Sequence, residues 1–468
     1  MRWRRRSSTP LAAALALAVL VPVSSRAQHE GHGHSVPPAR RDTVGTTPAR
    51  KPAKAAPGGR AADRAPGPAH AGHAHDVAGR GERTHDVPAL LGAYPFTREA
   101  SGTAWQPESA PHEGRHAARG GWSLMAHGFA FAVADRQGGP RGADRLFSTN
   151  MLMGRASRRL GPGRLGVRAM MSLEPLTVGQ RGYPLLLQTG ETGDGVTHLI
   201  DRQHPHDLFM ELAGSWSVSD ANGSAFVYAG LPGEPALGPP AFMHRASGES
   251  NPESPIAHHW LDSSHITFGV VTLGLTRERT RLEVSRFHGR EPDQNRWNIE
   301  TGKLDSYSAR LSWNPGADWS LQASGGRIES PEQLDPESDV DRRTVSAMWS
   351  HRGLSALAAW GRNRSKYRPT LDALLLEGAG EIGGRHTLFA RVERVEKNEL
   401  FPDGDPRAGE VFTVGRLSAG VILDLPASRF IDCGIGAMAS ASLVPDDLKS
   451  VYGDTPLSAS LFVRARVR

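Results

Sequence analysis

Between residues 121 and 468, apolar residues alternate with polar or small ones in segments of roughly ten residues, separated by Gly, Pro, Asp and Asn. Successive side chains of a β-strand point to opposite faces, so this period of two predicts strands with one apolar and one polar face. Representative segments are 281–287, 307–313, 319–324, 387–395 and 458–467. The pattern predicts an all-β fold with about 14–16 antiparallel strands.

Two architectures fit such alternation. In a soluble β-sandwich the apolar face points into a core, whereas in an outer-membrane β-barrel it faces lipid and the polar face lines the lumen. The last segment places Leu461, Val463, Ala465 and Val467 on one face and Arg464 and Arg466 on the other. Four aromatic residues lie near segment ends, where membrane barrels carry interfacial girdles: Trp313, Trp319, Trp349 and Trp360. We therefore favour an up-and-down outer-membrane barrel over residues 121–468, with a soluble secreted all-β domain as the alternative.

The N-terminus has the features of a secretory signal peptide. Arg4, Arg5 and Arg6 form a basic start, residues 11–23 are apolar, and small residues precede a cleavage site after Ala27. The apolar stretch is shorter than the roughly 20 residues of a membrane-spanning helix. We expect residues 1–27 to be removed during secretion to the outer membrane of a Gram-negative bacterium.

Residues 28–120 are dominated by Ala, Gly, Pro, Arg and His. Such a segment buries too little apolar surface to offset the loss of chain entropy, so the sequence predicts a disordered His-rich arm. Within it, the pairs His32 with His34 and His73 with His75 are candidates for weak metal binding. The alternative is a solvated linker without a ligand.

Two segments, at about residues 176–206 and 231–265, lack the alternation and are longer than ordinary strand connections, which makes them candidates for function. They carry six candidate metal ligands: His204, His206, His244, His258, His259 and His265. If the loops converge, three or four imidazoles could bind zinc, copper or nickel. Alternatively, the loops form a hydrogen-bonded plug in which these histidines pair with Asp207, Asp262 or Arg245 and no metal binds.

Composition excludes several other functions. The 55 Lys and Arg against 49 Asp and Glu give little excess positive charge, and much of that excess lies near the N-terminus of an exported chain, so we expect no nucleic-acid binding. Cys433 is the single cysteine, which rules out an internal disulfide and a multi-thiolate metal site. No hydrolase, phosphate-binding or dinucleotide-binding motif is present, and we expect no enzymatic activity. We interpret the methionines of the strand-like segments as lipid-facing or core-facing: Met125, Met151, Met153, Met170 and Met171.

Residues 182–191, 201–207, 258–266 and 304–310 resemble segments of a group of bacterial outer-membrane barrel proteins, over most of the chain after residue 121. The layout of a His-rich arm followed by a barrel is similar, more loosely, to copper resistance protein B type outer-membrane proteins. That resemblance implies copper sequestration or efflux.

These observations lead to one hypothesis and two alternatives. The hypothesis is an outer-membrane barrel that sequesters or transports a transition-metal ion, with copper as the first candidate ion and zinc as the second. Its expected partners are membrane lipid and metal ions. The alternatives are a passive outer-membrane pore and a plugged structural barrel without a metal site.

Overall fold

The computed structural model describes residues 87–112, 114–426, 428 and 430–467. Nineteen strands lie in this part of the chain: β1 (Arg115–Arg119), β2 (Trp122–Arg136), β3 (Asp144–Leu160), β4 (Gly163–Met171), β5 (Tyr183–Thr192), β6 (His198–Gln203), β7 (Phe209–Ser219), β8 (Ser224–Gly230), β9 (Val270–Arg277), β10 (Thr280–Phe287), β11 (Ser306–Trp313), β12 (Trp319–Ile328), β13 (Val340–His351), β14 (Leu354–Ser365), β15 (Leu371–Ile382), β16 (His386–Lys397), β17 (Phe412–Asp424), β18 (Ile431–Leu443) and β19 (Leu457–Val467).

The helices in the same part of the chain are short. They are α1 (Glu174–Thr177), α2 (His258–Leu261), α3 (Asp446–Tyr452) and the 3-10 helices Phe96–Arg98, Phe242–His244 and Ser263–His265. Among the described residues, no helix has the length and hydropathy needed to cross a membrane.

Sixteen of the strands form one closed antiparallel barrel. Strands β2, β3, β4 and β7 to β19 pair in this order, and β19 pairs with β2 to close the ring. Strand β1 pairs with the first part of β2, and β5 and β6 form a separate hairpin. The predicted all-β barrel is confirmed, and 16 strands lie at the upper limit of the predicted number.

The two faces of the barrel strands have opposite chemistry. Outward side chains are apolar and exposed, as in Leu275 and Leu461, which are 63% and 67% accessible. Inward side chains are buried and include many charged residues, among them Arg281, Glu283 and Arg310, together with apolar ones such as Phe131 and Phe462. This distribution is that of a lipid-facing barrel with a polar lumen. The alternative of a soluble β-sandwich is wrong, because the strands close into a single sheet.

The barrel has one end with short turns and one with long connections. Short turns follow β3, β7, β9, β11, β13 and β15, at residues 161–162, 220–223, 278–279, 314–318, 352–353 and 383–385. Arg352 and Gly353 have φ of 51° and 78°, the left-handed pair of a tight hairpin turn. Trp319 lies opposite Trp349 near this end, and exposed Trp313 precedes the turn at residues 314–318. In bacterial outer-membrane barrels the short turns face the periplasm.

Three segments fill the lumen. They are the N-terminal segment (residues 87–112), the first inner loop (172–208), which contains α1, β5 and β6, and the second inner loop (231–269), which contains α2. Their apolar residues are buried, for example Leu91, Leu186 and Ile256. The inner loops correspond to the two long loops predicted from the sequence.

The arm predicted over residues 28–120 ends earlier than expected. Residues 87–112 pack inside the barrel and Arg115–Arg119 form β1, because the lumen supplies partners that the segment lacks on its own. The predicted signal peptide and the arm histidines His32, His34, His73 and His75 lie outside the described residues.

Buried ion pairs tie these segments to the barrel wall. Glu99 of the N-terminal segment accepts a hydrogen bond from Arg155 of β3 at 2.8 Å. Glu253 of the second inner loop accepts one from Arg416 of β17 at 2.8 Å. Breaking a buried pair of this kind costs about 3–5 kcal/mol, because it leaves a buried charge uncompensated. The plug is therefore anchored to the wall at two strands that lie four apart in the barrel.

Candidate metal centre

Five of the six predicted histidines come together in the lumen. His204 and His206 directly follow β6, His258 and His259 begin α2, and His265 ends the 3-10 helix Ser263–His265. All five side chains are buried. We call His204, His206, His258, His259 and His265 the histidine cluster.

The rings of the cluster are close neighbours. Ring centroids are 5.2 Å apart for His258 and His265, and 5.3 Å apart for His206 and His265. His259 lies 5.3 Å from His258 and 5.6 Å from His204. Imidazoles bound to one tetrahedral zinc ion, with Zn–N of roughly 2.0–2.1 Å, would have centroids about 5 Å apart. The ring spacing therefore approaches that of a shared ion.

Three of these imidazoles are held through one nitrogen only. His206 Nδ1 lies 2.9 Å from Glu174 Oε2, and His258 Nδ1 lies 2.7 Å from Asp262 Oδ1. His265 Nδ1 lies 2.7 Å from the backbone oxygen of Asp262. The Nε2 atoms of all three rings are buried without a hydrogen-bond partner. Protein metal sites use this arrangement, in which an oxygen acceptor orients the ring and leaves the other nitrogen for the ion.

The other two histidines have different surroundings. His204 Nε2 lies 3.2 Å from Glu191 Oε1 but makes no hydrogen bond, and its Nδ1 lies 3.3 Å from the backbone oxygen of Pro205. His259 Nδ1 lies 3.7 Å from Glu291 Oε1, and its Nε2 has no hydrogen-bond partner. Gly190 of β5 makes room for the His259 ring, because a Cβ there would lie 2.6 Å from its Cε1 atom. His204 and His259 thus also have a buried Nε2 without a hydrogen-bond partner and are further candidate ligands.

Burial sets the charge of the central rings. It lowers the pKa of His258 to about 4 and that of His265 to about 3. Both rings are therefore neutral at neutral pH, the state in which imidazole binds metals. Burial also acts to lower the pKa of His206, but the neighbouring Glu174 carboxylate raises it above its usual value. Burial opposes ionisation of Asp262, but the Arg245 guanidinium holds the pKa of that carboxyl below its usual range.

The described residues contain no group of three His, Cys, Asp or Glu side chains already arranged to hold a metal ion. The side chains of the cluster would therefore have to rotate before one ion could bind three of its nitrogens.

His244 does not belong to the cluster. The Phe242 ring packs against the cluster, with centroid distances of 5.5 Å to His258 and 6.1 Å to His206. His244 lies in the same 3-10 helix and contacts other residues, because its Nε2 is 3.2 Å from Met170 Sδ and its ring is 6.0 Å from that of His127. The sequence prediction that grouped six histidines is therefore corrected to five.

The plug expected as the alternative is present, and part of its predicted pairing is found. His258 pairs with Asp262, and Arg245 Nη1 lies 2.5 Å from Asp262 Oδ2. Asp207, in contrast, pairs with Arg296 at 3.3 Å and not with a histidine. The plug does not by itself rule out metal binding, because the same loops carry the histidine cluster.

Sequence reasoning did not identify the carboxylates that support the histidines. Glu174 begins α1, just before the first of the predicted loops, and Glu291 lies in the connection that follows β10. Each contacts a histidine more than 30 residues away in the chain, so no local spacing indicates the pairing.

No protein-family model matches the sequence, and no curated protein matches it significantly. Solved structures with similar folds include OmpF of Salmonella typhi in complex with daunomycin, with a TM-score of 0.46, 9% identity and coverage of 75% of this chain and 100% of that one. The outer membrane channel DcaP of Acinetobacter baumannii has a TM-score of 0.45 and 12% identity, with coverage of 75% of this chain and 98% of that one. The anion-selective porin from Comamonas acidovorans has a TM-score of 0.43 and 12% identity, with coverage of 74% of this chain and 99% of that one. At this similarity the alignments carry no information about a ligand of this chain.

Proposed function

We propose that this barrel sequesters or transports a transition-metal ion, with copper as the first candidate and zinc as the second, through His206, His258 and His265 in its lumen. The observation that carries the proposal is the set of three buried Nε2 atoms without hydrogen-bond partners, on rings whose Nδ1 atoms are each held by an oxygen. Imidazole nitrogen suits both ions.

The energetic cost of the cluster supports a ligand role. A buried polar atom without a partner costs about 1–3 kcal/mol, so three such atoms are expensive in a plug that only fills space. Apolar side chains of similar volume would pack the same loops at lower cost. A bound cation would satisfy the three nitrogens together.

The passive pore and the plugged structural barrel remain the alternatives. The inner loops occupy the lumen, and one cavity beside His206 and Phe242 measures about 20 Å³. Conduction through the described structure would therefore require the inner loops to move. A structural barrel would bind no metal at the cluster.

Metal titration of the refolded full-length protein tests the proposal. We expect Cu(II) and Zn(II) to bind more tightly than about 10 μM, and the triple variant His206→Gln/His258→Gln/His265→Gln to remove that binding. His351→Gln is the matched control, because His351 lies at an exposed turn and contacts Asp318. Equal affinity in the triple variant and the control, or no binding in the wild type, would overturn the proposal.

A further inference from the structure

A second cavity, of about 40 Å³, lies between the N-terminal segment and strands β2 to β4. Phe242 separates it from the histidine cluster, because this ring packs on the cluster and also belongs to the buried apolar group that includes Met125, Met153 and Met170. The nitrogen and sulfur donors that line it are His112, His127, His244, Met125 and Met153. The cavity is large enough for a single ion or water molecule.

The strand register places several of these donors side by side. His127 of β2 lies opposite Met153 of β3, and Met153 lies opposite Met170 of β4. Cross-strand partners share a face, so the three side chains form a row, and both methionines of this row are buried in the lumen. His244 Nε2 approaches the end of the row at 3.2 Å from Met170 Sδ.

The N-terminal segment closes the cavity with a further nitrogen donor. The His112 ring stacks edge-on against Phe96, with centroids 4.3 Å apart. His112 Nε2 is buried and has no hydrogen-bond partner. A buried imidazole nitrogen of this kind is costly unless a ligand satisfies it.

The charges around the cavity favour a monovalent over a divalent ion. Arg155 and Arg168 line it, and each is neutralised by one carboxylate, with Arg155 bonded to Glu99 at 2.8 Å and Arg168 to Glu211 at 2.7 Å. Beyond these two pairs, the carboxylate of Glu249 also lines the cavity and matches a single positive charge. The other donors are thioether and imidazole groups, which soft ions such as Cu(I) prefer, whereas zinc rarely uses thioethers.

We propose that His112, His244, Met125 and Met153 form a binding site for a soft monovalent cation, Cu(I) or Ag(I). This site is separate from the histidine cluster in its donor atoms, and it does not depend on the function proposed for that cluster. Buried methionines elsewhere often only fill space in a core, and leucine can then replace them at small cost. A ligand role requires the sulfur atoms themselves.

Ag(I) titration of the refolded full-length protein distinguishes these roles. The test variant is Met125→Leu/Met153→Leu, which removes two sulfurs from the cavity. The matched control is Met151→Leu/Met210→Leu, whose methionines belong to the same buried apolar group but do not line the cavity. Free imidazole in the buffer suppresses Ag(I) binding to isolated histidines. We expect Ag(I) affinity to fall at least tenfold in the test variant and to stay unchanged in the control.

Two outcomes would overturn the inference: no Ag(I) binding by the wild type, or equal affinity in the two double variants. Because both are Met-to-Leu changes in one apolar group, a general loss of folding would affect them alike, and heat-modified electrophoretic mobility checks that both barrels are formed. Zn(II) titration of the same proteins separates this site from the cluster. We expect the cavity variant to retain Zn(II) binding, and the triple histidine variant to lose Zn(II) binding and retain Ag(I) binding.

Discussion

The Glu174 carboxylate contacts both the ring and the backbone of His206. Glu174 Oε2 lies 2.9 Å from His206 Nδ1 and 2.9 Å from the His206 backbone nitrogen. We predict that Glu174→Gln lowers the affinity of the lumen for Zn(II) by about 10–100-fold, the usual effect of removing a carboxylate that orients a histidine ligand. Calorimetric titration measures this change. Asp318→Asn is the control, because Asp318 makes the same kind of contact to the exposed His351. Unchanged affinity in Glu174→Gln would show that His206 is not a ligand.

Among the structural elements, the strands were the most predictable. Segments 281–287 and 387–395 lie within β10 and β16, because alternation depends only on neighbouring residues and on which face meets lipid. Arg464 is buried while Leu461 is exposed, as the sequence predicted. The position of the N-terminal segment could not be predicted, because it depends on contacts with distant residues. Its partners, such as Arg155, lie on strands that follow it in the chain, and the lumen exists only after the barrel closes.

The second inner loop also contains a pH-sensitive group. Burial raises the pKa of Glu234 to about 8, with a smaller contribution from Glu211, although Arg310 and Arg168 act to lower it. The pKa of Glu234 in the folded protein therefore lies above that of an unfolded glutamate, about 4.3. As the pH rises from about 4.3 to 8, docking of the loop weakens, because the unfolded carboxyl loses its proton more readily than the buried one.

We therefore predict that limited proteolysis of the second inner loop accelerates between pH 5 and pH 8.5 in the wild type, relative to Glu234→Gln at each pH. The glutamine cannot ionise, so the comparison cancels the pH dependence of the protease. Parallel rates for the two proteins across this range would contradict a protonated Glu234 in the docked loop.

Along the lumen, the two proposed sites lie nearer to different ends of the barrel. The cavity with His127 is on the part of β2 nearer the short turns, whereas the backbone oxygen of His259 accepts a hydrogen bond from Asn363, toward the long-connection end of β14. The sequence predicted the histidines, because they are concentrated in two loops. It could not predict that Phe242 divides them from His244, or that strand methionines join the second set, because both depend on packing between distant segments.

The plug fills the lumen through which a passive pore would have to conduct. Arg245 is fully buried, and it joins Asp262 of the second inner loop to Glu377 of β15, with its Nε 2.8 Å from Glu377 Oε1. Arg245→Met leaves Asp262 without its guanidinium partner, a loss of about 3–5 kcal/mol for a buried pair. We predict that the wild type is nearly closed in planar lipid bilayers and that Arg245→Met opens frequently, because the loop leaves the lumen and water enters. The exposed Arg181→Met is the control and stays closed. Steady conductance in the wild type would instead support the passive pore, and a closed Arg245→Met would show that other contacts hold the plug.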